Sequence, residues 1–426
     1  MRFLGVFKDG EFRGNPGPEK YRDCCILWRG YIGNREEIRR EAQSRGLQSG
    51  DGSTGDLFVL AYMLWDTELQ FHVTGEYSIV IFDTAVHKLF LTHDAFGLVP
   101  LFYGRQPGTL LVASHLEEII NHTGIGELDD EFIAGYIANP SLISNRTAYK
   151  NISRLAPGTS LVCTPGEEKV VEGRIFYQPG TSGEKDYVVK FLHLLGEGIS
   201  AAMPAAGEVW CELSGGLDSS SIFSLTARED TKRLSAFSII YNRYGQADET
   251  KWIGAILDRY PAVRHTLEGD EALPYSEIPD RFCPEPGLYL VDWAGRRVYE
   301  KMASDHNVRV VLTGQGGDLV FFGIGPMPYY GADLAKALRI GQLVREIRHW
   351  KTSDRHRRSY LYWLIHYVIR PLIAHVLRQP IVPACHRDPS PWINPEYARK
   401  WSLHERGRGK PRTMKTVEHS WFMEQL

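Results

Sequence analysis

The stretch Ser214–Ser220 constrains this chain more than any other part of its sequence. It reads Ser-Gly-Gly-Leu-Asp-Ser-Ser and follows the short, apolar-biased run Glu208–Leu213, which is typical of a β-strand. Two consecutive glycines predict a tight turn, and the residues from Ile222 to Arg228 continue at helical spacing. Successive N–H groups at such a strand–turn–helix junction form a cradle for anions, and the helix dipole adds positive potential. The stretch therefore predicts a phosphate-binding loop.

The side chains of this loop agree with that interpretation. Ser214, Ser219 and Ser220 provide hydroxyl donors for phosphate oxygens, and Asp218 provides a carboxylate of the kind that Mg²⁺ prefers. The loop is not a Walker loop, because no Gly-Lys-Ser/Thr follows the glycines. The alternative is an ordinary strand–helix connection with a serine cap. The complete heptad behind a strand favours the phosphate site.

Length, charge and cysteine content limit the possible domain number, partners and cellular compartment of the protein. The 426 residues predict two domains or more, and a net charge of −3 gives no overall nucleic-acid footprint. Six cysteines without a Cys-x-x-Cys pair favour a reducing compartment, so we expect a cytoplasmic protein. The apolar start of the chain is interrupted at Lys8 and Asp9, too early for a signal peptide.

Residues 1–180 alternate short strands with turns. Tyr77–Asp83 and Lys88–Thr92 bracket a polar turn and predict a β-hairpin. The charged segment Asn34–Arg45 predicts a surface helix, and Leu57–Leu64 predicts a more buried one.

Beyond the turn-rich connection at residues 177–184, the pattern changes. Leu234–Tyr241 and Val308–Leu312 are strand-like and alternate with helical segments, which predicts a parallel, doubly wound sheet. Ligands of such sheets bind beyond the carboxyl ends of the strands. A second glycine-rich turn, Thr313–Asp318, follows the last of these strands. Its glycines would let the backbone approach a nucleotide, and its aspartate would add a second carboxylate for Mg²⁺ and pyrophosphate.

Several motifs resemble one family in a common order. Gly75-Glu76-Tyr77 and the spacing Asp94-x-x-Gly97-x-x-Pro100-Leu101-x-Tyr103 are similar to the amidotransferase domain of asparagine synthetases, and Leu155–Gly158 resembles its end. Ser214–Ser220 resembles the pyrophosphate loop of ATP pyrophosphatases, and Thr313–Asp318 resembles the second nucleotide motif of the same superfamily.

This resemblance implies an α/β protein with two domains. An Ntn-hydrolase-like αββα domain, residues 1–180, would precede a doubly wound parallel-sheet ATP-pyrophosphatase domain with a helical C-terminal part, residues 181–426. The implied reaction is ATP-dependent adenylation of a carboxylate, with release of pyrophosphate and then AMP. The implied cofactors are ATP and Mg²⁺, with Asp218 and Asp318 as metal ligands. The residues implied to bind the nucleotide are Leu213, Ser214, Gly215, Gly216, Leu217, Asp218, Ser219, Ser220, Ile239, Thr313, Gly314 and Asp318.

The sequence departs from the family at the glutaminase nucleophile. Working glutaminases of this type use an N-terminal cysteine, whereas Arg2 follows Met1 here. The nearest cysteines are Cys24 and Cys25. We therefore expect an amidotransferase-like domain that lacks its nucleophile, and an amine other than glutamine-derived ammonia.

Gln315 is the residue that best separates the branches of the superfamily. Asparagine synthetases have glutamate and β-lactam synthetases have tyrosine at this position, whereas Gln315 can orient a carboxylate but cannot act as a base. The Gly-Gln-Gly-Gly-Asp form resembles the lasso-peptide cyclases, in which an Asp or Glu side chain of a precursor peptide is adenylated and closed into a macrolactam. Pro391-Trp392-Ile393 is also reminiscent of that branch.

The preferred function is thus an isopeptide-forming cyclase. Its implied partners are a precursor peptide, a leader-binding protein and a peptidase. An ammonia-dependent asparagine synthetase, a β-lactam-synthetase-like ligase and a non-catalytic nucleotide-binding scaffold remain alternatives. The sequence does not indicate the oligomeric state.

Two carboxylates near the helix Ala294–Ala303 are further candidates for the catalytic set. Glu285 and Asp292 precede this helix and would contact Mg²⁺ or an amine, with helix capping as the alternative. His265, on a strand-like edge, is interpreted as structural.

The C-terminal part is less informative. A basic cluster between Arg345 and Arg358 predicts a solvated helix face, with docking of an acidic peptide as the alternative. Tyr360–Leu377 is apolar but interrupted by polar residues, which favours a buried or partner-facing helix pair over a membrane span and leaves membrane-surface contact open. We find no match to the family's C-terminal lysine region in Lys400, Lys410 or Lys415, and therefore expect a truncated chain or a replaced function.

Overall fold

The computed structural model describes twelve segments of the chain. These are residues 2–8, 10–48, 50–124, 126–138, 145–172, 184–204, 206–229, 233–287, 290–317, 330–353, 358–376 and 392–403. Internal contacts divide the chain into two compact units, Met1–Phe132 with Ile143–Thr313, and Ile133–Leu142 with Gly314–Leu426. The predicted domain boundary at residue 180 lies outside the described residues and stays a prediction.

The N-terminal part of the first unit contains two antiparallel sheets. Its strands are β1 (Leu4–Lys8), β2 (Glu11–Asn15), β3 (Glu19–Tyr21), β4 (Cys24–Ile32), β5 (Gly75–Asp83), β6 (Lys88–His93), β7 (Phe102–Gln106), β8 (Thr109–Ala113), β9 (Ile152–Arg154), β10 (Thr159–Thr164) and β11 (Glu167–Glu172). Its helices are α1 (Arg35–Ser44), α2 (Thr54–Trp65) and α3 (Leu116–Thr123). The next helix, α4 (Asp130–Ala138), begins in the first unit and belongs to the second from Ile133 onward. One sheet has the order β2-β1-β8-β7-β9 and the other β11-β10-β6-β5-β4-β3. The predicted hairpin is β5 with β6.

Side chains that alternate along the strands contribute to three separate apolar layers. On β5, Ile79 belongs to the core shared with α1 and α2, whereas Val80 belongs to the core between the two sheets. On β8, Val112 faces that same inter-sheet core, whereas Leu111 packs against α3. Successive side chains of a strand point to opposite faces of the sheet, so each of these strands contributes residues to two neighbouring layers. The arrangement is the predicted αββα sandwich.

The remainder of the first unit is built around a parallel sheet. Its elements are α5 (Glu184–Ala202), β12 (Glu208–Glu212), α6 (Leu217–Glu229), β13 (Leu234–Ile240), α7 (Thr250–Arg259), β14 (Val263–Glu268), α8 (Trp293–Asp305) and β15 (Val308–Leu312). The strand order is β14-β13-β12-β15, and all three pairings are parallel. On β12, Cys211 packs in the core with α5, α6 and α7, whereas Trp210 packs in the core with α8. Helices on both faces confirm the doubly wound arrangement.

The described part of the second unit is helical after the turn at residues 314–317. Its helices are α9 (Tyr330–Lys336), α10 (Ile340–Ser353), α11 (Tyr360–Leu364), α12 (Arg370–Val376) and α13 (Pro395–Lys400). Among the residues that the structure describes, no helix combines the length and the apolar character needed to cross a membrane.

The predicted helix pair at Tyr360–Leu377 corresponds to α11 and α12, which the structure describes as far as Val376. A single π-helical turn, Ile365–Ile369, joins the two helices, and the Arg370 N–H bonds to the Ile365 carbonyl, five residues back. Pro371 falls in the first turn of α12, where proline is tolerated.

Candidate active site

The loop Ser214–Ser220 lies where the winding of the parallel sheet reverses. From β12 the chain moves outward through α6 and α7 to β13 and β14, and then returns to place β15 on the other side of β12. Cys211 of β12 pairs with Leu312 of β15, so Ser214 and Thr313 both follow strands that end at the same edge. A reversal of strand order opens a crevice at the carboxyl edge, where ligands of doubly wound sheets bind.

Gly215 is required by the shape of this loop. Its φ of +87° lies in the left-handed region, where residues with a Cβ are strained. A Cβ added at Gly215 would also lie 2.8 Å from the Cβ of Trp252 in α7. At Gly216 an added Cβ would meet only the Oγ of Ser214, at 3.4 Å. The first glycine therefore sets the turn.

Two serines brace the loop internally. The Ser214 N–H donates to the Ser219 Oγ at 3.2 Å, and the two hydroxyl oxygens are 3.0 Å apart. The Gly216 N–H donates to the Ser214 Oγ at 3.3 Å, and the Ser219 hydroxyl donates to the Gly216 carbonyl at 3.3 Å. The loop is thus held in shape by its own side chains, which reduces the ordering cost of binding a ligand.

Ser220 differs from the two bracing serines. Its Oγ is buried, and it has no hydrogen-bond partner among the described residues. An unsatisfied buried hydroxyl costs about 1–3 kcal/mol, so it needs an explanation. Ser220 and Asp218 both lie in the first turn of α6, where the helix dipole favours negative ligands. The residues present therefore fit a phosphate group with its accompanying cation.

The residues predicted to contact adenine occupy different environments. Leu213 is 1% exposed, its N–H donates to the Phe237 carbonyl at 2.7 Å, and its carbonyl accepts from the Ser238 hydroxyl at 2.8 Å. Ile239, near the end of β13, is 43% exposed. Leu217, the first residue of α6, is also exposed. Ile239 is thus open to a ligand at this edge, whereas Leu213 belongs to the core.

Asp270 was missed by the sequence reasoning. It follows β14 at the same carboxyl edge, and its Oδ2 accepts the N–H groups of Asn242 at 2.5 Å and Arg243 at 2.9 Å. Its Oδ1 is buried and has no partner among the described residues. The Gly269-Asp270 pair after a strand was the available signal, but a glycine–aspartate turn is too common to stand out.

The residues of the second glycine-rich motif are only partly described. Thr313 directly follows β15 and belongs to the first unit. Gly314 and Gln315 begin the second unit, in a turn where the Gly317 N–H donates to the Gly314 carbonyl at 3.1 Å. Gly316 has a φ of +88°. Asp318 lies outside the described residues.

The two other predicted carboxylates have distinct surroundings. Glu285 forms a hydrogen-bonded ion pair with Arg154 of β9. Burial raises the pKa of Glu285, and the charge and hydrogen bond of Arg154 offset only part of that effect. Asp292 precedes α8 but makes no side-chain capping bond to it, although its carbonyl accepts the Arg296 N–H at 3.0 Å. Their predicted catalytic roles stay predictions.

Arg2 occupies the position expected for the glutaminase nucleophile, and its guanidinium forms ion pairs. Arg2 Nη1 lies 2.8 Å from Glu117 Oε2 and 3.6 Å from Glu118 Oε1, both in the first turn of α3. Asp94 of the amidotransferase-like motif accepts three N–H groups of its own turn, from Phe96, Leu98 and Val99. The turn of that motif is therefore held by its own hydrogen bonds, and the position expected for the nucleophile is an arginine.

Two family models match successive parts of the chain. A family model described as asparagine synthase matches residues 190–410, just over half of the chain, and one described as a glutamine amidotransferase domain matches residues 13–173. A glutamine-hydrolyzing asparagine synthetase 3 of Bacillus subtilis (strain 168) is 23% identical over 320 residues, which cover 70% of this chain and 51% of the relative. Amidase chyE of Penicillium rubens is 25% identical over 318 residues, which cover 68% of this chain and 45% of the amidase.

This chain spans about half the length of these curated relatives. A solved glutamine phosphoribosylpyrophosphate amidotransferase from B. subtilis aligns over 76% of this chain and 86% of its own at 12% identity, with a TM-score of 0.29. A TM-score this low carries no structural argument. The doubly wound fold is assigned from the parallel strand order β14-β13-β12-β15. By its match to the asparagine synthase model over residues 190–410, the chain belongs to the asparagine synthase family.

Proposed function

We propose that this protein is an ATP-dependent amide ligase that adenylates a carboxylate and joins it to an amine. One observation carries the proposal: the Ser214–Ser220 loop stands at the reversal point of the parallel sheet, pre-shaped by its own serines and with the buried Ser220 hydroxyl unpartnered among the described residues. A phosphate oxygen would supply the acceptor that this hydroxyl lacks.

The roles of the loop residues follow from their positions. The N–H groups of the first turn of α6 would bind the pyrophosphate portion of ATP, and Ser220 would donate to it. Asp218, in the same turn, would hold Mg²⁺ together with Asp318. Bound Mg²⁺ would neutralise charge that develops on the departing pyrophosphate. Ile239 is placed to contact the adenine because its exposed side chain lies at the same edge.

The amine that attacks the adenylate is proposed to be a peptide N-terminus. Arg2 leaves no thiol to generate ammonia from glutamine, and its guanidinium is ion-paired with α3. Gln315 in the second motif supports the lasso-peptide cyclase branch over the asparagine synthetases. The partners would then be a precursor peptide, a leader-binding protein and a peptidase, and the setting the cytoplasm.

A second candidate is an asparagine synthetase supplied with free ammonia, which the printed names of several relatives favour. The matched regions fit this function as well as they fit the cyclase. A β-lactam-synthetase-like ligase and a nucleotide-binding scaffold are weaker candidates, since no observation on the described residues favours them specifically.

The test is acceptor-dependent exchange of pyrophosphate into ATP. We expect exchange by the unaltered protein with a suitable carboxylate, and AMP rather than ADP on turnover. Asp218→Asn should lower exchange at least a hundredfold, and Ser220→Ala about tenfold, because both remove contacts to the transferring phosphates. Ser221→Ala is the matched control, since the exposed Ser221 hydroxyl bonds to the Leu217 carbonyl of its own helix at 2.7 Å. Release of ADP, or full exchange in Asp218→Asn, would refute the proposal.

A further inference from the structure

A histidine–carboxylate cluster lies away from the proposed ATP site. Glu208, His265 and His306 each offer one ligand atom, and these atoms all lie within 4.8 Å of one another. Glu208 is the first residue of β12, His265 is in β14, and His306 follows α8. Three ligands from three separate elements converge, which is how metal sites are assembled in folded chains.

The geometry of one pair already matches a bound metal. The His265 Nε2 lies 3.3 Å from the Glu208 Oε1. Two ligands about 2.1 Å from a zinc ion are separated by about 3.4 Å in a tetrahedral site. The His306 ring centroid lies 4.3 Å from that of His265, close enough for a small rotation of the exposed His306 to complete the set.

Surrounding residues hold the first two ligands in place. The buried Trp210 stacks on the His265 ring, with centroids 4.8 Å apart, and its Nε1 donates to the Glu208 Oε1 at 3.1 Å. The Ser235 hydroxyl donates to the same oxygen at 2.6 Å. Such outer contacts from Trp210 and Ser235 orient metal ligands.

The cluster opens into a cleft of about 720 Å³. The cleft is lined at the amino ends of the strands, by Gly207 before β12, Arg233 before β13 and Pro261 before β14. The Ser214–Ser220 loop lies at the opposite end of β12, about 20 Å along an extended chain. The cluster is therefore separate from the adenylation chemistry, and its open side leaves room for a water or small anion as a further ligand.

We propose that Glu208, His265 and His306 form a binding site for a divalent transition-metal ion of the zinc type. Two imidazoles and one carboxylate suit Zn²⁺ or Co²⁺, whereas Mg²⁺ and Ca²⁺ prefer sites made of oxygen ligands. A metal here would tie the end of α8 to β12 and β14. It would be a cation distinct from the Mg²⁺ proposed at Asp218.

The test measures Zn²⁺ and Co²⁺ binding to the full chain without nucleotide or Mg²⁺. Equilibrium dialysis should show one Zn²⁺ at this site, and Zn²⁺ should raise the unfolding midpoint in a concentration-dependent manner. Co²⁺ should give visible d–d bands. His306→Ala should weaken Zn²⁺ binding at least tenfold and abolish the bands, and as a change at an exposed position it should fold normally. His265→Gln is a second ligand variant that keeps a side chain against Trp210.

His193→Ala is the matched control, because His193 pairs with Glu197 at 3.4 Å on the exposed face of α5 and belongs to no three-ligand group among the described residues. It should bind Zn²⁺ as the unaltered protein does. Absence of Zn²⁺ binding at 100-fold excess over protein would overturn the proposal. So would equal affinities of the unaltered protein and His306→Ala, or retention of the Co²⁺ bands in that variant. None of these readouts depends on ligase activity.

Discussion

Arg154 and Glu285 form an ion pair between residues 131 positions apart. Arg154 ends β9, in the region matched by the amidotransferase model, and Glu285 lies between β14 and α8, in the region matched by the asparagine synthase model. The Arg154 guanidinium also lies over the ring of Phe102, 5.1 Å from its centroid. Both partners are partly buried, with side-chain exposures of 35% and 28%. The pair therefore joins two regions of the first unit that sequence comparison treats separately.

Breaking this pair should destabilise the protein asymmetrically. Arg154→Met removes the guanidinium beside the partly buried Glu285, and we expect a loss of about 1–2 kcal/mol in the free energy of unfolding after allowance for solvent screening. Glu285→Gln should cost less, because burial disfavours the charged carboxylate. The double variant should lose less than the two single losses combined. Urea denaturation of the four proteins gives the coupling, and strict additivity would show that the pair contributes nothing.

The same pair predicts a pH dependence. Because the pKa of Glu285 is raised on folding, its stabilising contribution is complete below the pKa of the unfolded chain and is lost as pH rises through the folded value. Glu285→Gln should remove this contribution, so the stability difference between the unaltered protein and the variant should change as pH rises through the acidic range above the ordinary pKa of glutamate. Denaturation midpoints across that range provide the measurement. A difference independent of pH would contradict it.

The two glycines of the Ser214–Ser220 loop should respond unequally to alanine. Gly215→Ala forces a side chain into a left-handed conformation and within 2.8 Å of Trp252, so we expect a loss of about 2–3 kcal/mol and of pyrophosphate exchange. Gly216→Ala meets only ordinary contact and should cost less than about 1 kcal/mol in stability. Thermal unfolding distinguishes them. Equal losses would show that the turn geometry does not depend on Gly215.

Glutamine should not be hydrolysed. Arg2, two residues before β1, is ion-paired to Glu117 and cannot form the thioester on which the glutaminase reaction depends. Purified protein should release no glutamate from glutamine above a buffer blank, with or without ATP. Steady glutamate release that persists after repeated purification would disprove this prediction.

The identity of the acceptor separates the two leading functions. A peptide that carries an Asp or Glu several residues from a free N-terminus should support AMP formation better than free aspartate, because its tethered amine gains several kcal/mol from proximity. The product should be lighter than the peptide by one water, and mass spectrometry after protease digestion should locate the ring. Rapid conversion of aspartate and ammonia to asparagine, without peptide-dependent AMP, would instead favour the synthetase.

The predictions from sequence succeeded where the pattern is local. The β5–β6 hairpin followed from alternating apolar residues around a polar turn, and β12 with its glycine loop followed from a short strand and two glycines. The contact of Arg154 with Glu285 left no local pattern, because it joins side chains brought together only by the tertiary fold. Asp270 and the partners of His265 were missed for the same reason. The π turn at Ile365–Ile369 was not predicted, because one turn of altered hydrogen-bond spacing changes the apolar periodicity too little to be recognised.

The pairing of β12 with β15 has a consequence for how the chain folds. β12, β13 and β14 follow one another with single helices between them, so they can assemble from neighbouring segments. Glu208 pairs with Val308, and that contact must wait until the intervening loop of about a hundred residues has closed. Closure of distant strand pairs slows folding. The crevice beside the Ser214–Ser220 loop would therefore be completed late in refolding, after β12–β14 have formed.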